Sequence, residues 1–179
     1  LKRSHLAREI VETIALALLI FLAIHFTIQN YMVDGPSMQK TLYTNQYVLV
    51  NKVAYLFHAP ERGDIIVLEE PDQPSRDLIK RVIGVPGDTV HWDGTNVWVN
   101  GVELNEPYIT SKSNYNANAV KLGPNQYFVM GDNRPKSEDS RVFGIVPKDN
   151  IIGKAIVVDW PLNQWKILDT YPSVYSHIK

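Results

Sequence analysis

Ser37 sits in Asp34-Gly35-Pro36-Ser37-Met38. A serine flanked by glycine and proline has its hydroxyl and its backbone N–H presented by a tight turn, as an acyl-transfer nucleophile and its oxyanion hole require. Gly-Pro-Ser is more often only a turn, so chemistry here depends on a base. The five histidines are His5, His25, His58, His91 and His177. His5 precedes a long apolar run and His25 lies inside it. His58 stands beside Ala-Pro, His91 in a hairpin pattern, and His177 near the end of the chain, so nothing points to a Ser-His-Asp triad.

Lysine is the other option. Ser37-Met38-Gln39-Lys40 matches the S-x-x-K motif of penicillin-binding proteins and β-lactamases, but the companion S-D-N and K-T-G motifs and the helical context are missing. Lys80, in Asp77-Leu78-Ile79-Lys80-Arg81-Val82-Ile83-Gly84-Val85, is better placed, because a strand period of two puts it on one face with Leu78 and Val82. A lysine is a base only when neutral, and burial among apolar groups is the physical route down from about 10.4. The competing reading is a surface Lys-Arg pair on an edge strand. A third candidate is Gly131 to Arg141, a loop dense in hydrogen-bonding side chains. A buried neutral lysine needs an uncharged partner, a role open to Ser137 or Ser140, while Asp139 and Arg141 could neutralise each other.

These segments need a scaffold. Runs at Tyr47–Val50, Asp64–Leu68, Leu78–Val85, Thr89–Trp92, Asn96–Val99, Gln126–Met130 and Ile151–Trp160 read as strands. Asn100-Gly101 predicts a type I′ hairpin and Pro86-Gly87-Asp88 a tight turn. Residues 108–125, polar and Asn-rich, predict a long surface loop. The fold class is therefore mostly β, an antiparallel sheet or barrel-like domain. Ahead of it, 15 of the 19 residues from Ile10 to Ile28 are apolar, enough for a helix that crosses a bilayer. No later run approaches it, and Gln29–Val33 offers no small-x-small cleavage site. Lys2, Arg3 and Arg8 before the run place the N-terminus in the cytoplasm and everything after Tyr31 outside. The division expected is 1–9 as a cytoplasmic tail, 10–29 as the transmembrane helix and 30–179 as an extracytoplasmic β-rich domain.

Composition narrows the partners. With 18 Lys+Arg against 19 Asp+Glu the net charge is −1, which argues against nucleic acid. The absence of cysteine removes disulfides, thiolate zinc sites and a cysteine nucleophile.

Together the anchor, Gly35-x-Ser37-Met38-x-x-Thr41-Leu42, Arg62-Gly63-Asp64-Ile65-Ile66-Val67, Lys80 to Asp88, and Gly131-Asp132-Asn133-Arg134-x-x-Ser137-x-Asp139-Ser140-Arg141-x-Phe143-Gly144 resemble a type I signal peptidase (leader peptidase), of the short single-span kind found in Gram-positive bacteria. The resemblance implies a Ser/Lys-dyad endopeptidase that removes signal peptides from exported preproteins after a small-x-small motif, close to the export machinery, with no metal or cofactor. It makes Ser37 the nucleophile, Lys80 the general base, Ser137 the hydroxyl that orients the amine, and Asp139 with Arg141 a loop-shaping salt bridge. Val33, Met38, Leu42, Leu78 and Ile79 match positions lining the family's shallow pockets for small residues at −1 and −3. Two positions depart from some or most relatives: Gly35 offers no side-chain oxyanion donor, and Lys40 stands where the family usually has proline, so φ there is not fixed. Two rivals share parts of the pattern. A membrane-tethered β-domain that binds exported peptides without cutting them explains the anchor and sheet but not Ser37 with Lys80 and Ser137. A self-cleaving LexA-type repressor shares the dyad but expects an N-terminal DNA-binding domain.

Overall fold

The computed structural model describes residues 2–111, 113 and 117–178. Helix α1, Lys2–Thr27, contains the 20-residue apolar stretch Arg8–Thr27, long and apolar enough to cross a membrane and with none of it buried against the rest of the chain. The helix ends one residue before the apolar pattern, which runs to Ile28. Ile28 already belongs to strand β1 (Ile28–Met32), which pairs with β2 (Tyr47–Asn51), and the Thr27 carbonyl accepts the Lys52 N–H at 2.9 Å. Helix and sheet are thus joined without a linker.

Strands β3 (Ile65–Glu70), β4 (Gln73–Gly84), β9 (Gln126–Met130), β10 (Val146–Pro147), β11 (Ile151–Trp160) and β12 (Lys166–Ile167) complete an antiparallel sheet in the order β1-β2-β11-β3-β4-β9-β10, with β12 beside β11. A smaller sheet, order β7-β6-β5-β8, comprises β5 (Thr89–Trp92), β6 (Val97–Val99), β7 (Val102–Glu103) and β8 (Asn118–Lys121). The Asn100-Gly101 turn between β6 and β7 has φ of 51° and 81°, as a type I′ turn demands.

Ile65-Ile66-Val67-Leu68 is an unbroken apolar run because both faces of β3 are covered. Ile65 and Val67 pack with Val33, Met38, Leu42, Val48 and Val50; Ile66 and Leu68 pack with Leu78, Val82, Tyr127 and Val129. A third cluster, with Trp92, Val97, Val99 and Phe128, joins the small sheet to the large one.

The surface loop expected over 108–125 is corrected. Tyr108 and Leu122 are buried, and β8 lies within the segment, paired to β5. Hydropathy misses this strand because it is an exposed edge whose backbone pairing, more than its side chains, holds it. Residues 112 and 114–116 of that expectation lie outside the described residues.

Candidate active site

Three segments converge. β1 ends at Met32, and Gly35, at φ +86°, turns the chain into Ser37. β4 is paired on both sides at its centre, with Lys80 opposite Ile66 on β3 and Arg81 opposite Met130 on β9. Since β9 stops at Met130, the loop beginning at Gly131 is delivered beside Lys80.

Lys80 Nζ lies 3.0 Å from Ser37 Oγ. The lysine is 2% exposed, and burial pulls its pKa from 10.5 down to about 8. The Asp139 carboxylate opposes the fall, Arg76 assists it, and Glu138 and Glu70 oppose it more weakly. Asp139 opposes only partly because Arg141 grips it through two bonds of 2.7 Å with both side chains buried. Asp139 also accepts from the Gly131 N–H and caps the short helix α2 (Ser140–Phe143), while Arg141 reaches Ser113 Oγ and the Arg134 carbonyl. The loop expected from Gly131 to Arg141 thus carries two short helical turns, Arg134–Lys136 and Ser140–Phe143, wrapped around one ion pair.

Ser137 is buried against Gly131. A Cβ on Gly131 would stand 2.3 Å from Ser137 Oγ and 2.5 Å from the Ser37 carbonyl oxygen, so only glycine lets the Ser37 turn and the Ser137 hydroxyl approach this closely. Ser140 is turned elsewhere, accepting the Val129 N–H at 3.0 Å.

A cleft of about 320 Å³ runs over Ser37 and Lys80. Val33, Met38, Leu78 and Ile79 line it, with Tyr31, Asp34, Arg76 and Glu138 at its margins. Leu42 does not. It is wholly buried in the core with Val48 and Val50, because the Leu42 N–H bonds back to the Met38 carbonyl and turns the side chain inward. Lys40 is exposed and faces Lys166 and Tyr171 across a separate hollow, so the literal S-x-x-K match places no lysine on Ser37. None of the histidines lines the cleft.

Several residues of the site carried no assigned role in the sequence. Arg81 and Asp132 form a fully buried two-pronged pair at 2.9 Å, and the Thr41 hydroxyl donates to the same carboxylate. The Arg81 guanidinium stacks on Tyr108 at 4.2 Å and donates to the Gly63 and Asp169 carbonyls. This cluster ties the turn after Ser37, the strand of Lys80 and the loop after β9 into one block. Asn133 donates its N–H to the Ser37 carbonyl at 2.9 Å and its side-chain amide to the Pro36 carbonyl at 3.1 Å. Arg76 lies at the cleft margin between Glu70 and Glu138, and its even spacing from Leu78 and Lys80 on β4 was the available signal.

The cleft thus brings a serine hydroxyl and a buried amine within 3.0 Å of each other. Residues 7–160 match the family described as signal peptidase, peptidase S26. A signal peptidase I from Leptolyngbya laminosa is 40% identical over 92% of this chain and 85% of its own length. A signal peptidase IB from Staphylococcus aureus is 34% identical over 89% and 94%. A crystal structure of a signal peptidase I from Enterococcus faecalis matches 53% of this chain and 95% of its own, with 34% identity and a TM-score of 0.47. The chain belongs to the signal peptidase family, peptidase S26.

Proposed function

We propose that this chain is a membrane-anchored serine endopeptidase that removes signal peptides from exported preproteins, with Ser37 as nucleophile and Lys80 as general base. The observation that carries the reading is the 3.0 Å approach of Lys80 Nζ to Ser37 Oγ on a lysine whose burial lowers its pKa to about 8. A non-catalytic peptide-binding domain has no need of an ammonium group held in so costly a place.

In the neutral state the Lys80 lone pair accepts the Ser37 proton as Oγ attacks the scissile carbonyl. The Ser37 N–H stabilises the oxyanion, and Lys80 returns the proton to the leaving amine. Water then takes the place of the amine and releases the acyl group from Ser37. Ser137 orients the amine, and the Asp139–Arg141 pair holds the loop that carries it. Val33, Met38, Leu78 and Ile79 form shallow apolar walls suited to small side chains at −1 and −3.

The family membership and the apolar α1 support a bilayer anchor. The basic residues before it support a cytoplasmic N-terminus and a β-domain outside, where signal peptide removal puts it beside the export machinery. Ser37 follows Thr27 by ten residues, so the nucleophile stays within about 35 Å of the span's end. That is the zone where the end of a membrane-inserted signal helix emerges.

The test is incubation of the detergent-solubilised chain with a secretory precursor, followed by sequencing of the product's new N-terminus. Cleavage directly after a small-x-small triplet is expected, and both Ser37→Ala and Lys80→Ala should abolish it in proteins that melt cooperatively. Normal cleavage by the Lys80→Ala protein would overturn the dyad.

A further inference from the structure

The Ser37 N–H is the oxyanion donor that the nucleophile turn itself supplies, since Gly35 has no side chain and a Cβ built there meets nothing within 4 Å. No backbone carbonyl of the described residues engages that N–H. A lone N–H on a turn serves as an oxyanion donor only if its direction is set before the substrate arrives. Something must set it.

The Pro36–Ser37 peptide is trans, so the Pro36 C=O and the Ser37 N–H point in opposite directions within one rigid plane. Whatever holds the carbonyl therefore aims the N–H. Two groups hold it: the Asn133 side-chain amide at 3.1 Å and the Gln39 N–H at 3.2 Å. Gln39 belongs to the same turn and moves with it. Asn133 does not. It is 6% exposed, follows Asp132 in the buried Arg81 cluster, and receives the Lys136 N–H on its own carbonyl at 3.0 Å. Its own N–H bonds the Ser37 carbonyl at 2.9 Å, so both carbonyls flanking the nucleophile are held by one residue of the opposite loop.

We infer that Asn133 is a positioning residue whose side-chain amide, by holding the Pro36 carbonyl, aims the Ser37 N–H at the developing oxyanion. The inference rests on the reading of Ser37 as nucleophile. The main-chain bond to Ser37 survives any substitution at 133, whereas the bond to Pro36 depends on the amide. Side-chain replacement therefore separates aiming the donor from holding the loop.

The experiment uses the full chain in detergent with Asn133→Ala and the near-isosteric Asn133→Asp, whose carboxylate has no proton to give Pro36. Each is assayed for kcat and KM on a secretory precursor, and for binding of two matched peptides ending at the −1 residue, one an aldehyde and one the corresponding alcohol. With the aldehyde, the Ser37 Oγ–C bond forms, the C=O π electrons become the oxyanion, and the hydroxyl proton passes to Lys80; the alcohol binds without reaction. For both variants kcat should fall about 10²-fold with KM within about twofold, in line with loss of an aimed oxyanion donor. Aldehyde affinity should fall in parallel while alcohol affinity holds. For Asn133→Ala the midpoint of the rising limb of the pH profile, set by Lys80, should stay in place. Equal loss of aldehyde and alcohol affinity, or unchanged kcat in either folded variant, would overturn the role. Ser37→Ala is run alongside. Full activity there removes the nucleophile reading itself, whereas its inactivity beside wild-type behaviour of the Asn133 variants removes only the positioning role.

Discussion

Replacing Lys80 by methionine should destroy activity and strengthen the fold. Native Lys80 holds its last proton with a pKa of about 8, against 10.5 for the free side chain. At 1.36 kcal/mol per pH unit, keeping the buried amine charged at neutral pH costs the native state about 3 kcal/mol. Methionine fills a similar volume without charge, at the loss of the hydrogen bond to Ser37, worth about 1 kcal/mol. The net gain at pH 7 is therefore about 2 kcal/mol, or roughly 4–8 °C in Tm for a chain of this size. Its pH dependence is the decisive part. Below pH 8 lysine is protonated in both states of the wild type, and the full penalty is present. Between about 8 and 10.5 the unfolded chain still binds the proton while the native one has released it, so wild-type stability rises with pH and the advantage of Lys80→Met shrinks. Above 10.5 the advantage is gone. All four tryptophans lie between residues 92 and 165, outside α1, so their fluorescence reports unfolding of the β-domain in detergent. A stability difference that is the same at pH 7 and pH 10.5 would refute burial as the cause of the lowered pKa. The wild-type rate should rise to a plateau with a midpoint near pH 8, and a flat profile from pH 6 to 10 would contradict the same reasoning.

Two further outcomes follow from the loop after β9. Gly131→Ala puts a methyl group on the Ser137 hydroxyl and the Ser37 carbonyl, and the approximately 1 Å of relief needed should lower kcat by about 10²-fold or more; precursor cleavage within threefold of wild type would show that the turn yields without cost. Asp139→Asn leaves Arg141 buried beside an uncharged amide and should destabilise the domain by about 3–5 kcal/mol. It also removes the strongest influence raising the Lys80 pKa, so the midpoint of the pH–rate profile should move to lower pH, and movement to higher pH would show the electrostatic balance to be misassigned.

Local pattern carried the sequence a long way, and its reach explains what it missed. Every expected strand is present, because apolar runs bounded by Gly, Pro, Asn and Asp mark strands directly, and Asn100-Gly101 forms the turn its residues dictate. Lys80 could be placed on the even face of β4 by period alone. Leu42 could not be separated from Met38 in the same way, since both are apolar residues of one turn and only the backbone bond between them decides which lines the cleft. Nor could period reveal the Arg81–Asp132 pair, 51 residues apart, or the hold of Asn133 on the Pro36 carbonyl, 97 residues back. Those contacts exist because β9 happens to end opposite Arg81, a fact of strand register that no window of sequence contains.

That register also resolves an electrostatic conflict. The loop must be stiff, and stiffness here comes from buried charge: Arg81 on Asp132, Arg134 on Glu106 and Arg141 on Asp139. Lys80 must stay close to neutral, and a bare carboxylate nearby would push it back toward 10.5. Pairing satisfies both demands, because each of these three carboxylates is matched by a guanidinium. Desolvation is then the largest influence on Lys80, ahead of the opposing Asp139 charge and the assisting Arg76 charge. The amine that meets the Ser37 hydroxyl is therefore left out of these three buried ion pairs.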